Sequence, residues 1–189
     1  MAETDPAVWT EPQDQEVLIR HEDLHAHVKA VYQSAKVSEE HAHTMADLQV
    51  ETDVRGVHSH GTRAAPGYVR RMLNGHTNPR PEISVTKEGG SFAIVDNDGG
   101  MGHLGGVLAM EMAIEKAAKT GVAIGTVVQS RHFGAAFNYA MMAAKHDMIG
   151  IAISSSSPGL APWGGAERML GNNPVAYAVP AGKERPLVL

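Results

Sequence analysis

The sequence has no cysteine in its 189 residues. That excludes disulfides and thiolate metal sites, and it sits naturally with a reducing compartment. It has no excess of positive charge either. Sixteen Lys and Arg stand against 21 Asp and Glu, for a formal net charge of -5. Non-specific nucleic-acid binding needs a basic surface, so that class of partner is not expected. No stretch approaches the ~20 apolar residues that a membrane span requires. The first residues, MAETDPAVWTEPQDQE, are acidic and lack the apolar h-region of a secretory signal. These absences leave a cytoplasmic α/β protein as the expectation. What is present supports it, because a hydrophobic content of 43% is enough to build a buried core.

Residues 1–16 are polar and proline-punctuated and read as a flexible tail. From His21 to Ala35, the residues Leu24, Val28, Val31 and Ala35 recur at helical spacing. Ser38 then stands where an N-cap belongs, with Glu39 and Glu40 behind it. The spacing predicts a second helix over Glu39–Glu51, with Ala42, Met45, Ala46 and Gln49 along one side. A third helix over Gly67–Leu73 ends at Asn74-Gly75, a C-cap pattern. Beyond Pro79 and Pro81 the periodicity changes. Ser91–Asp96 reads as a strand and Leu104–Thr120 as a helix stopped by Gly121. Val122–Gln129 reads as a strand buried on both faces, and Gly134–Asp147 as a helix. Met148–Ser154 reads as another buried strand, with Val175–Val179 and Leu187–Leu189 as further strands. A helical unit over 17–82 followed by a layered α/β unit over 83–189 is the expected organisation. The last residues, Pro186-Leu187-Val188-Leu189, stop inside a predicted strand, so the chain is expected to be a fragment.

Several motifs compete for a chemical role. His21-Glu22-Asp23-Leu24-His25 has the H-E-x-x-H spacing, which on a helix aims two imidazoles at one zinc. It also reads as a plain helix start, with no third ligand nearby. Gly100-Met101-Gly102-His103-Leu104-Gly105 has the dinucleotide spacing G-x-G-x-x-G between a strand and a helix. However, Asp96 and Asp98 place negative charge where a pyrophosphate would approach, and the next strand ends without an acid for the ribose. The alternative is a tight turn that packs helix on sheet. In the pairs His25/His27 and His41/His43, residues two apart on a helix do not share a face, so neither pair can chelate one ion and both are expected to be exposed. No metal site is expected.

Two histidines sit in loops, where catalytic residues concentrate. His60 lies in His58-Ser59-His60-Gly61, flanked by Arg55 and Arg63, which suit an anionic substrate. His132 lies in Ser130-Arg131-His132-Phe133-Gly134, at the carboxyl end of a strand. There it is expected to be the last residue before a helix, held neutral by the helix N-terminus. The bland alternatives are a polar turn and a capping histidine. Ser154–Ser157, Trp163-Gly164-Gly165 and Gly171-Asn172-Asn173-Pro174 offer hydroxyls and amides suited to a ribose, a phosphate or a nicotinamide amide, or else form plain turns.

Taken in order, these segments resemble the type 2 malate/L-lactate dehydrogenase family, which includes ureidoglycolate dehydrogenase, sulfolactate dehydrogenase and diketogulonate reductase. Asp53-Val54-Arg55-Gly56-Val57-His58-Ser59-His60-Gly61-Thr62, Tyr68-Val69 and Asn74-Gly75 carry the resemblance. So do Val95-Asp96, the Gly99–Gly105 turn, Ser130–Ala136, Ala161–Gly165 and Gly171–Pro174, from about Val17 to Leu189. It implies a mixed-sheet, non-Rossmann domain that binds NAD or NADP, here incomplete at the C-terminus. The implied reaction is hydride transfer between nicotinamide and C2 of a small 2-hydroxy or 2-oxo acid, in a homodimer. It implies His60 and His132 as the acid–base candidates, with Ser59 and Arg63 toward the substrate and Ser156 and Asn173 toward the cofactor. This chain departs from the family at Ala64, where many members carry arginine, and at Asn172, where threonine is common.

Overall fold

The computed structural model describes residues 17–189, so the expected tail at 1–16 lies outside the described residues. Three helices open the fold: α1 (His21–Ser34), α2 (Glu39–Val54) and α3 (Ala65–Leu73), the last entered through a 3-10 turn at Thr62–Ala64. Ser38 caps α2 as expected, its side chain accepting from the His41 N–H at 3.2 Å. Helix α3 starts two residues earlier than its apolar spacing implies, because Pro66 fits the first turn, where no N–H is needed. It ends on Gly75 at φ +74, whose N–H reaches the Met72 carbonyl at 3.0 Å.

The three helices share one core. Val28 and Tyr32 of α1, Ala42, Met45 and Ala46 of α2, and Ala65, Tyr68 and Met72 of α3 are buried together. Tyr32, not Val31, completes the stripe of α1. Met101 and Leu104 join this core from beyond residue 83 and tie the helical unit to the strand-bearing unit. Fully burying a side chain the size of Val28, Met45 or Met72 stabilises the fold by roughly 1.5–3 kcal/mol.

Strand β1 (Ser84–Glu88) turns back antiparallel onto β2 (Phe92–Asp96). Helix α4 (Gly102–Thr120) then crosses to β3 (Ile124–Val128), which pairs parallel with β2. Helix α5 (Phe137–Ala144) leads to β4 (Gly150–Ile153), β5 (Val175–Val179) and β6 (Leu187–Val188), an antiparallel sheet separate from the first. Two small sheets, one of them mixed, are not the continuous parallel sheet of a Rossmann fold. None of the described helices is long and apolar enough to cross a membrane.

Two expectations need correction. Strand β3 is covered on one face only, by α4, while Ile124 and Val128 face outward. Strand β4 is the same, with Ala152 packed under α5 and Ile151 and Ile153 exposed. Their continuous apolar runs suit burial on both faces, but within the described residues only one face finds a partner.

Candidate active site

The loop carrying His60 is tied at both ends. Asp53, in the last turn of α2, accepts from the Thr62 N–H at 2.9 Å and from the Thr62 hydroxyl at 2.5 Å. Its other oxygen faces His58 Nδ1 at 3.1 Å. Behind the loop, buried Gln49 donates to the Gly61 carbonyl at 2.9 Å and accepts from the Tyr32 hydroxyl. A loop fixed by a carboxylate and a buried amide presents its side chains with little freedom to rearrange. Within it, the Ser59 hydroxyl lies 2.9 Å from His60 Nδ1, which fixes the ring and leaves Nε2 outside that contact.

The second loop is held by the glycine-rich segment that mimics a dinucleotide fingerprint. The Gly102 N–H donates to the His132 carbonyl at 2.9 Å, and the Arg131 N–H to the Gly100 carbonyl at 3.0 Å. A side chain at Gly102 would come within 2.6 Å of the Arg131 carbonyl. The start of α4 is therefore filled by protein and has no room for a pyrophosphate. The glycines let residues 131–133 pack against the helix start, as the tight-turn alternative anticipates.

His132 does not adjoin a helix, since α5 begins only at Phe137. Its protonation is governed by other groups. The Gly134 N–H points at Nδ1 from 3.1 Å, and the Tyr68 hydroxyl lies 2.6 Å from the same nitrogen. A backbone N–H can only donate, so Nδ1 is the unprotonated nitrogen and the ring hydrogen sits on Nε2. The outer edge of the residue is exposed while its inner face packs against Tyr68 and His60. This partial burial, then the charges of His60 and Arg71, hold His132 below the ordinary histidine range. Burial pushes the Tyr68 phenol up to about 12, so it stays protonated and can donate.

The fold brings the two expected histidines together. Their rings stack with centroids 5.7 Å apart and 30° between planes. Ser59 is part of this cluster. Arg63 sits exposed in the 3-10 turn, and no carboxylate pairs with it among the described residues. Ser156 and Asn173 meet each other in a second place, the loops that join β4 to β5. The Ser156 N–H donates to Asn173 Oδ1 at 3.1 Å, and its hydroxyl to Asn172 Oδ1 at 3.1 Å. With both amide oxygens engaged, both amide NH2 groups are left to donate elsewhere. No hydrogen bond links this cluster to the histidine pair among the described residues.

Three contributors are missing from the sequence-derived set: Tyr68, Asp53 and Arg71. Tyr68 and Asp53 belong to the segments that carry the resemblance, but their contacts span 64 and 9 residues respectively. Arg71 shows no signal in the sequence beyond its place one helical turn after Tyr68.

The chain matches the family model described as malate/L-lactate dehydrogenase over residues 19–189. A malate dehydrogenase of Pyrococcus abyssi is 43% identical over 92% of this chain and 48% of its own length. An L-sulfolactate dehydrogenase of Methanocaldococcus jannaschii is 42% identical over 78% of this chain and 43% of its own. The solved malate dehydrogenase of Pyrococcus horikoshii superposes with a TM-score of 0.89 at 40% identity, covering 94% of this chain and 51% of that one. The chain thus spans about half the length of the relatives it matches, and over that span it belongs to the malate/L-lactate dehydrogenase family.

Proposed function

We propose that this chain forms part of a NAD- or NADP-dependent dehydrogenase that moves a hydride between nicotinamide and C2 of a small 2-hydroxy or 2-oxo acid of malate or lactate type. The observation that carries this reading is the stacked His60–His132 pair, each ring held through Nδ1 with Nε2 left for the substrate. The helical unit, 17–82, supplies His60, Ser59 and Arg63. Residues 83–189, a partial cofactor-binding unit, supply His132, Ser156 and Asn173. The Ser156–Asn172–Asn173 cluster fits a nicotinamide dinucleotide by its chemistry, because it keeps free amide donors at strand ends. The start of α4 does not. When bound, the nicotinamide supplies or accepts the hydride.

The residues handle the proton. His132, neutral with its hydrogen on Nε2, donates a hydrogen bond to the substrate oxygen and stabilises the charge that develops there. It is poorly placed to give up that hydrogen, because Gly134 blocks Nδ1 from taking one in exchange. His60 has only a hydroxyl at Nδ1, which accepts or donates equally well. His60 therefore gives a proton to the oxygen in reduction and takes it back in oxidation. Arg63 is the first candidate for the substrate carboxylate and Arg71 the second, since the charge of Arg71 reaches His132. The same reading carries a cytoplasmic homodimer. The test is oxidation of NADH and NADPH by the purified full-length enzyme that contains this chain, with pyruvate, oxaloacetate and related 2-oxo acids. Inactivity across that panel overturns the assignment.

A second reading, a binding module without turnover, is favoured by the apolar sheet faces that β3 and β4 leave uncovered. Cofactor binding without any reduction of substrate would select it.

A further inference from the structure

Histidine pairs that cannot chelate an ion along one helix converge in space. His25 on α1 and His43 on α2 contribute one histidine from each pair, and their rings lie edge to face at 4.8 Å. Asp47, one turn beyond His43, completes the group. Its Oδ1 is 2.7 Å from His25 Nε2, and its Oδ2 is 3.4 Å from His43 Nε2. We infer that His25, His43 and Asp47 form a site for a divalent transition-metal ion of the zinc class, which clamps α1 to α2 away from the histidine pair at His60 and His132.

Three observations carry this. The first is composition: two imidazoles and a carboxylate are a ligand set suited to zinc, with a fourth position open to water. The second is spacing. His43 and Asp47 are i and i+4 on α2, so they share a face, and α1 supplies the third donor. One donor atom from each residue lies within 4.8 Å of the others. Tetrahedral zinc wants its ligands about 3.4 Å apart, given bonds of about 2.0–2.1 Å. His43 and Asp47 are both more than half exposed and can close that gap by side-chain rotation, while His25 is held in place. The third is an unmet need. Among the described residues, buried His25 Nε2 makes no properly aligned hydrogen bond, although a carboxylate oxygen is only 2.7 Å away. His25 Nε2 thus lacks an aligned partner as the two stand, and a cation beside them would satisfy it once the exposed Asp47 side chain swings out to the ligand spacing of about 3.4 Å.

The site has a structural consequence. Helix α2 ends in Asp53, which fixes the His60 loop, and α1 supplies Tyr32 to the same support. A metal at His25, His43 and Asp47 would hold together the two helices that carry that scaffold.

The test uses tag-free protein stripped with a chelator and then titrated with zinc chloride, with cobalt(II) as a spectroscopic substitute. One equivalent should bind with micromolar or tighter affinity. Cobalt should give the intense visible bands of a tetrahedral site, and the unfolding midpoint should rise by several degrees. Asp47→Asn and His43→Gln, both at exposed positions, should each weaken binding at least tenfold with an unchanged circular dichroism spectrum. His60→Ala should bind zinc like the wild type. Absence of stoichiometric binding, an octahedral cobalt spectrum, or wild-type affinity in Asp47→Asn and His43→Gln would each overturn the site. Loss of binding in His60→Ala alone would move the ion to the histidine pair and overturn it too.

Discussion

At the scale of single residues, the two histidines are chemically different although they stack on each other. Gly134 fixes the tautomer of His132, whereas His60 Nδ1 meets the Ser59 hydroxyl, which can donate or accept. The difference predicts unequal variants. His60→Ala should lower kcat by about 100- to 10,000-fold, the usual worth of general acid–base catalysis, and flatten the pH profile of kcat. His132→Gln should lower kcat by about 100-fold while keeping the shape of that profile above neutral pH, because a ring held below the ordinary histidine range is already neutral there. Steady-state rates from acid to alkaline pH decide the matter, and a flattened profile in His132→Gln instead would exchange the two roles. A third histidine bears on stability. His103 is wholly buried behind Tyr68, its ring nitrogens have no hydrogen-bond partner among the described residues, and burial, with the charge of His132 second, holds it down to about 3. The unfolded chain takes up this proton from about pH 6.5 downward. The folded chain does not until about pH 3. Stability from this group is therefore complete above the unfolded value and is lost as pH falls toward the folded one. Between pH 7 and pH 5 the loss is about 2 kcal/mol, and His103→Met should abolish it in urea titrations at the two pH values. An identical pH dependence in His103→Met would contradict the assignment.

At the scale of elements, helix starts do most of the positioning. Ser38 caps α2, the helix whose far end holds the His60 loop, so Ser38→Ala should cost about 1 kcal/mol in chemical denaturation and leave kcat nearly unchanged. The start of α4 acts differently, because Gly102 holds the His132 carbonyl and leaves no room for a side chain. Gly102→Ala should cost about 1–3 kcal/mol through overpacking and also lower kcat, since the displaced segment is the one that carries His132. A variant that loses stability but keeps full turnover would show that residues 131–133 tolerate the shift. Legibility in the sequence divides along the same line. Helices α1, α2 and α4 announce themselves through apolar spacing, a serine cap and a glycine stop. Strand β1 does not: its Ser-Val-Thr-Lys-Glu run is exposed throughout, and pairing with β2 defines it more than any burial pattern. The loop histidines are legible because they lie in motifs, whereas the Tyr68 contact to His132 joins residues 64 apart and leaves no local trace. The His25–His43–Asp47 group is hidden for a related reason. Spacing along one helix says nothing about a donor on its neighbour.

At the scale of the whole molecule, two three-stranded sheets each keep an uncovered face. Ile124 is 65% exposed and Ile153 67% exposed, and Ile151, Val175 and Tyr177 lie beside Ile153 on the outer face of the second sheet. Among the described residues, strands β3 and β4 are also edge strands, with unpaired backbone groups along one side. Contiguous apolar faces next to open edges are where protein association and aggregation concentrate. The 189-residue chain purified by itself should therefore bind a hydrophobic dye and associate as its concentration rises. Replacing Ile151 and Ile153 with threonine keeps a β-branched residue at both positions and removes apolar surface where no described contact depends on it. That double variant should bind less dye and shift toward monomer in light scattering, with its secondary structure unchanged. If the unmodified chain instead stays monomeric and dark to the dye at the highest workable concentration, these faces carry no drive to associate, and their exposed isoleucines are ordinary surface residues.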